Sequence, residues 1–174
     1  AIANEAAVDS HGLRESADIS SGNPSETASR SQSGPGSSQR MIHAAPLHEA
    51  ARDGRVEDIK LLATSSGADV NALDSEERTP LHVAAENGRV DAINALAALG
   101  AKVDARNSYQ STPLHRAAHY GYVPAIDALA ALGADVNARN NYLTTPLHRA
   151  AHSGHLEAIN ALAALDADVD ARDY

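Results

Sequence analysis

The sequence predicts an all-α solenoid of four stacked helical hairpins, preceded by a disordered tail. Three observations support this fold class. A motif, Ala/Thr-Pro-Leu-His, begins at Ala45, Thr79, Thr112 and Thr145, so that its copies are separated by 34, 33 and 33 residues. Each copy opens two short apolar stretches that are separated by a glycine, and the composition changes at about residue 40. A fixed period of this length is typical of repeated supersecondary units that share one core.

Composition excludes several classes of protein. The chain has 174 residues and a net charge of −9, which disfavours nucleic acid as a partner, because a nucleic-acid binder needs a basic face. It has no cysteine, so a disulfide framework, a thiolate zinc site and a cysteine nucleophile are all excluded. No apolar run is long enough to span a membrane, and no leader-like segment begins the chain. The sequence names no compartment, and the cytoplasm is favoured.

Residues 1–40 are predicted to form a disordered tail, and residues 41–174 a repeat domain. Serine, glycine and proline dominate the second half of the tail, and large apolar residues are few. Such a segment buries too little surface to offset the entropy lost on ordering. The part up to Ile19 is compatible with a transient helix or a partner-binding motif, but a plain linker is the favoured interpretation.

The second copy of the repeat shows how each unit forms. Thr79 is a good N-cap and Pro80 occupies the first helical position, where its missing N–H costs nothing. Gly88 ends this helix, and residues 89–99 form a second helix that ends at Gly100. The short loop makes the two helices antiparallel.

Small residues recur where neighbouring units must approach each other closely. A single pair of short helices is marginal in water, so at least three units must stack to bury a shared core. The segments between units are polar and rich in turn-forming residues, as expected of projecting loops. The recurrent small residues are Ala84, Ala85, Ala117, Ala118, Ala150 and Ala151.

This pattern resembles the ankyrin repeat. The motif "TPLH.AA..G", followed by "GADVNA", covers residues 42–174 at a step of about 33 residues. The resemblance implies L-shaped units, each with two antiparallel helices and a projecting β-hairpin. It implies protein recognition on a concave face, without catalysis. It also implies that His82, His115 and His148 are structural and bind the capping threonine and nearby backbone.

Some positions depart from the family pattern. The glycine that usually stands two residues before the threonine is replaced by Glu77, Gln110 and Leu143. Because a left-handed conformation is costly for such residues, we expect these loop tips to adopt another turn. Ala45 replaces the first capping threonine, which suits an atypical first unit, and Asp166 replaces the glycine after the last helix. No polar C-terminal cap is visible, so we expect either a truncated array or an exposed inner face.

Two H-x-x-x-H pairs, beginning at His115 and His148, raise the possibility of a zinc hydrolase. In zinc proteases the residue after the first histidine is the general base, but Arg116 and Arg149 stand there. The first histidine of each pair also has the structural role implied by the resemblance. No nucleophile elbow, P-loop or dinucleotide motif is present. We therefore predict no metal, no cofactor and no enzymatic activity.

Tyrosine, arginine and histidine define the predicted binding surface. The chain has no Phe and no Trp, its five tyrosines all follow residue 105, and none falls on an expected core position. Tyrosine and arginine are enriched in binding hot spots. Copying of harmless residues during duplication is the alternative explanation. The candidate partner-binding residues are Arg106, Tyr109, Arg116, His119, Tyr120, Arg139, Tyr142, Arg149 and His152.

The concave face is predicted to change in character along the array. Asp74, Glu76, Glu77 and Glu86 make its first half acidic, so that an acidic partner is steered to the second half. The second helices are rich in alanine, which either reflects helix propensity or a surface that packs on another chain. We expect a monomer.

The predicted function is a non-enzymatic module that binds another protein through its concave face. The alternative is a targeting fragment of a larger multidomain protein or effector, whose activity lies outside this chain. A metal-dependent hydrolase is a third, weaker hypothesis.

Overall fold

The computed structural model describes residues 46–174, which belong to one compact unit. The predicted tail over residues 1–40, its boundary at Met41 and the substitution at Ala45 lie outside the described residues. Helices and turns make up the described part, and no β-strand is assigned within it. The projecting hairpins implied by the resemblance are therefore tight turns here.

The helices of residues 46–174 come in four consecutive pairs. The first helix of each pair begins at the proline of the repeated motif, and a short turn leads into the second. Their bounds are residues 46–53 for α1, Val56–Thr64 for α2, Pro80–Glu86 for α3, Val90–Ala98 for α4, Pro113–Tyr120 for α5, Val123–Ala131 for α6, Pro146–His152 for α7 and Leu156–Ala164 for α8.

The capping threonines behave as the sequence predicted. The hydroxyl of Thr79 accepts a hydrogen bond from the backbone N–H of His82, while the Thr79 N–H donates to Nδ1 of His82. This reciprocal arrangement satisfies two of the backbone N–H groups left open at the start of a helix. The same arrangement forms at Thr112 and Thr145. The repeated Thr-Pro-Leu-His motif is thus a helix-start signal, with histidine in the place that glutamate usually takes.

The units stack in two rows of helices. The first helices α3, α5 and α7 pack side by side, and the second helices α2, α4, α6 and α8 form the other row. Leucine and isoleucine at repeated positions fill the space between the rows. The fully buried members of this core include Leu81, Leu114, Ile59, Ile93, Ile126, Leu96, Leu129 and Leu162. The predicted solenoid with one shared core is confirmed.

Most of the small residues lie where the helices meet. Ala84 and Ala118 have no exposed surface, which allows α3, α5 and α7 to approach one another closely. Ala151 is the exception and is exposed on α7, because within the described residues no further unit packs against it. The prediction from alanine spacing therefore holds at the junctions and fails at the last position.

Two of the glycines at the turns between paired helices, Gly88 and Gly121, are required by the next unit. Gly88 has a φ of 65°, and a Cβ built on it would lie 2.8 Å from Cδ1 of Tyr122. A Cβ on Gly121 would lie 2.6 Å from Cγ of His155. The residues before α6 and α8 thus cover the glycine turns of the preceding units, and only glycine leaves room for their rings.

The missing glycines led us to expect another turn at the loop tips, and this prediction is wrong. Glu77, Gln110 and Leu143 have φ values of 58°, 58° and 57°, so the left-handed conformation is kept without glycine. Hydrogen bonds within the loop fix the turn. For example, the side-chain oxygen of Asn107 accepts the Ser111 N–H, and the Asn107 N–H donates to the Ser111 carbonyl. These bonds outweigh a steric cost of about 1–2 kcal/mol per residue.

Candidate partner-binding groove

An open groove of about 590 Å³ runs along the third and fourth units. One wall is formed by the loops that precede α5 and α7, and the other by the exposed sides of these two helices. Six of the nine predicted partner-binding residues line it. The lining residues are Asn107, Tyr109, Ser111, His115, Arg116, His119, Tyr142, Thr144, His148, Arg149, His152 and Asp173.

Tyr109 and Tyr142 occupy the loop tips and are about half exposed, at 50% and 52%. Their backbones are fixed, because Asn107 and Asn140 each accept the N–H of the tyrosine two residues later, at 3.0 and 2.9 Å. Both asparagines are buried. The two rings are therefore presented by rigid turns at the edge of the groove. All five tyrosines are exposed, as predicted.

His115 forms part of the groove floor and has a structural role. Its Nδ1 accepts the Thr112 N–H at 3.1 Å, and its Nε2 donates to the Thr144 carbonyl of the next unit at 2.9 Å. His82 makes the same bridge to the Ser111 carbonyl. Burial lowers the pKa of both imidazoles to about 4. These histidines are uncharged bridges between units near neutral pH.

The bridging role bears on the H-x-x-x-H pair that begins at His115. Both ring nitrogens of His115 are already hydrogen-bonded within the protein. In residues 46–174 no three histidine, cysteine or acidic side chains converge in a way that would hold a metal ion.

His148 differs from its three counterparts. Its Nδ1 accepts the Thr145 N–H at 3.3 Å, which leaves the proton on Nε2. In the described part of the chain Nε2 has no acceptor, whereas the equivalent atoms of His48, His82 and His115 contact a carbonyl of the next unit. His148 keeps the capping role of its counterparts through its hydrogen bonds with Thr145.

Arg116 is held by a network of charged side chains. Its Nη2 and Nε donate to Oε2 of Glu86 at 2.6 and 3.0 Å, and Arg78 Nη1 donates to the other oxygen of Glu86 at 3.1 Å. Arg78 also pairs with Asp74 at 2.8 Å. The acidic residues Asp74 and Glu86, predicted as a surface patch, are thus largely neutralised by arginines, and Arg116 is neutralised in turn.

The pKa values within this network follow from its hydrogen bonds. Burial is the largest influence on Asp74 and acts to raise its pKa. The backbone N–H groups of Arg78 and Glu76, together with the Arg78 guanidinium, outweigh it and lower the pKa. Burial acts to lower the pKa of Arg78, but the carboxylates of Asp74 and Glu86 outweigh it and raise this pKa. Asp74 and Arg78 are therefore both ionised near neutral pH.

Arg149 occupies the repeat position of Arg116 but lacks such a partner. The position of Glu86 is taken in the next unit by His119, and within residues 46–174 no carboxylate lies within 4 Å of the Arg149 guanidinium. His119 Nδ1 instead contacts the Ser153 hydroxyl at 2.9 Å. Burial lowers the pKa of His119, and Arg116, Arg149, His152 and His155 lower it further by repulsion.

Three predicted residues do not line the groove. Arg106 braces adjacent loops, since its Nη1 donates to the carbonyls of Gln110 and Arg139 at 3.0 and 2.8 Å. Arg139 is exposed and contributes only that carbonyl. Tyr120 lies at the far end of α5, where its ring packs against His119 and Tyr122.

Sequence reasoning missed two features of the groove. It treated Arg116 and Arg149 as equivalent, although the replacement of Glu86 by His119 at the same repeat position was visible in the sequence. Asp173 was not expected in the groove either.

Stacked helical pairs with projecting turns and a concave groove define the class of helical repeat proteins. The family model of ankyrin repeats (three copies) matches residues 47–140 and 99–173, and the chain belongs to the ankyrin-repeat family. Ankyrin repeats are generally protein–protein interaction modules and are typically non-enzymatic. The comparison with curated proteins finds no match. Among the described helices, none has the length and apolar character needed to cross a membrane.

Proposed function

We propose that this chain is a non-enzymatic module that binds a partner protein in the groove of its third and fourth repeats. The observation that carries the proposal is the meeting of Tyr109 and Tyr142 with Arg149, His119 and His152 in one open groove. Half-exposed tyrosines on rigid turns give contact area at little entropic cost, and arginine adds directed hydrogen bonds.

The groove residues are not equal in this role. Tyr109, Tyr142 and Arg149 are available to a partner, because none of their side chains takes part in a hydrogen bond or ion pair within the described residues. Arg116 is fixed by Glu86, so its contribution is to shape the groove. Arg106, Arg139 and Tyr120 belong to the outer margin of the proposed surface.

Affinity capture with matched variants tests the proposal. Tyr109→Ala with Tyr142→Ala removes both rings from the groove. Leu61→Ala with Leu132→Ala trims two exposed apolar side chains, one on α2 and one immediately after α6. Both variants are expected to keep the helical content of the unmodified chain. Partners retained by the second variant and lost by the first support the proposal. A folded groove variant that captures the same partners as the unmodified chain contradicts it.

The chain is proposed to act as a monomer. The alanine-rich second helices leave Ala98, Ala131 and Ala164 exposed, without large apolar side chains at these positions. Sedimentation velocity over a wide concentration range is expected to show one species of monomer mass. A concentration-dependent dimer would assign these helices, or the exposed face of the last unit, to self-association.

A further inference from the structure

Resting on the proposed function, we infer that the groove recognises an acidic, extended peptide segment of the partner. Arg149 binds a carboxylate of this segment beside Tyr109 and Tyr142, and protonation of His119 strengthens the capture.

The first support is the difference between two arginines at the same repeat position. Arg116 makes two hydrogen bonds to a carboxylate at 2.6 and 3.0 Å, so the repeat geometry suits an arginine–carboxylate pair. Arg149 stands one unit further along, with His119 where the carboxylate of Glu86 would be. A glutamate or aspartate of the partner would pair with Arg149 in the groove, as Glu86 pairs with Arg116 within the chain.

The second support is the pair of tyrosines beside Arg149. Tyr109 and Tyr142 are 50% and 52% exposed at the loop tips that line the same groove. A peptide segment whose carboxylate reaches Arg149 would lie against these rings.

The charges around His119 set the pH dependence. Arg116 lies on its own helix, Arg149 and His152 come from α7, His155 follows α7, and Glu86 faces Arg116 from α3. An incoming carboxylate relieves the repulsion among these cations, so that binding takes up protons. Asp173 lines the same groove and opposes an acidic ligand. Affinity is therefore expected to rise as pH falls through the range in which imidazoles gain a proton.

Fluorescence anisotropy with a labelled peptide of alternating glutamate and glycine, about ten residues long, tests the inference against the same peptide with glutamine. Glutamate stays ionised at about pH 6, so a change in affinity between about pH 7.5 and pH 6 reports on the protein. We expect the glutamate peptide to bind at least about fivefold tighter than the glutamine peptide at the lower pH, and about fivefold tighter there than at the higher pH. Equal binding of the two peptides overturns the inference.

Four variants separate the local site from the overall charge. Arg149→Gln is expected to weaken binding about tenfold, a loss in line with one charged hydrogen-bonded pair. Arg52→Gln makes the same charge change on the exposed side of α1 and should leave binding unchanged. His119→Gln should abolish the pH dependence, and Asp173→Asn should tighten binding. Equal affinities of Arg149→Gln and Arg52→Gln contradict the site.

Two further measurements test whether the groove binds another kind of ligand than an acidic peptide. A single-stranded oligothymidine of similar charge should bind more weakly than the glutamate peptide, and equal affinity would make the groove a general polyanion site and overturn the inference. Self-association that is lost in Arg149→Gln would assign the groove to a second copy of this chain, and would also overturn it. If the capture experiment identifies a partner that depends on the groove tyrosines but not on Arg149, the proposed function stands and this inference fails.

Discussion

Arg116 of the third unit donates two hydrogen bonds to Oε2 of Glu86 in the second unit, at 2.6 and 3.0 Å. The guanidinium and the carboxylate are 24% and 11% exposed, and Arg78 binds the second oxygen of the same carboxylate. One acidic side chain thus joins two arginines across a repeat junction. Because these groups are largely removed from water, the loss of one charge leaves the others uncompensated.

Glu86→Gln is therefore expected to lower the free energy of unfolding by about 2 kcal/mol, between the values typical of exposed and of buried ion pairs. Urea denaturation at neutral pH measures this change. Glu57→Gln is the control, because Glu57 pairs with Lys60 on an exposed helix surface and should change stability by less than about 0.5 kcal/mol. Equal effects of the two substitutions would show that the network contributes no more than a surface pair.

The bridging histidines make the fold sensitive to acid. His82 and His115 have folded-state pKa values of about 4, below the 6.5 of an exposed imidazole. Below about pH 6.5 the unfolded chain takes up these protons first, so stability is complete above that pH and declines as pH falls towards 4. Each histidine should cost about 2 kcal/mol between pH 7.5 and pH 5.

Urea denaturation across that pH range measures the decline. His82→Gln is expected to be less stable at pH 7.5 and to show about half of the decline, while His152→Gln, which changes an exposed imidazole, should keep the full decline. A free energy of unfolding that stays constant down to pH 5 would show that these imidazoles are not buried as neutral bridges.

Asp166 and Gly133 occupy the same repeat position with φ values of 61° and 88°, and their exchange isolates the cost of a left-handed residue. Asp166→Gly is expected to raise stability by up to about 1 kcal/mol, and Gly133→Ala to lower it by about 1 kcal/mol. A Cβ on Gly133 meets nothing within 4 Å, so the second change reports on the backbone alone. Thermal unfolding of the two variants should shift in opposite directions, and shifts of the same sign would argue against backbone strain.

Gly88→Ala adds a steric clash to the same backbone cost, since its Cβ would lie 2.8 Å from the Tyr122 ring. We expect it to destabilise the fold by about 1–3 kcal/mol more than Gly133→Ala does. A double-mutant cycle with Tyr122→Ala checks the cause, because removing the ring should remove most of the added penalty. Additive effects of the two substitutions would mean that the ring does not restrict Gly88.

Much of the fold was predictable because its signals are local and repeated. Threonine and proline at 79 and 80 mark a helix start in any context, and a period of about 33 residues indicates stacking. The loop tips were mispredicted because steric preference was the only signal used. The bonds that hold Gln110 and Leu143 in the left-handed region come from neighbours in the folded loop, such as Asn107 and Asn140.

The sequence by itself determined the helix pairs, their stacking and the outward placement of the tyrosines, because each depends on residue type and on spacing along one chain. Only the tertiary structure decided which arginine is available. Arg116 and Arg149 are the same residue type in the same motif, yet one meets Glu86 and the other meets His119. That difference arises across a repeat junction, where residues about 30 positions apart come into contact, and electrostatic pairing depends on this distance in space.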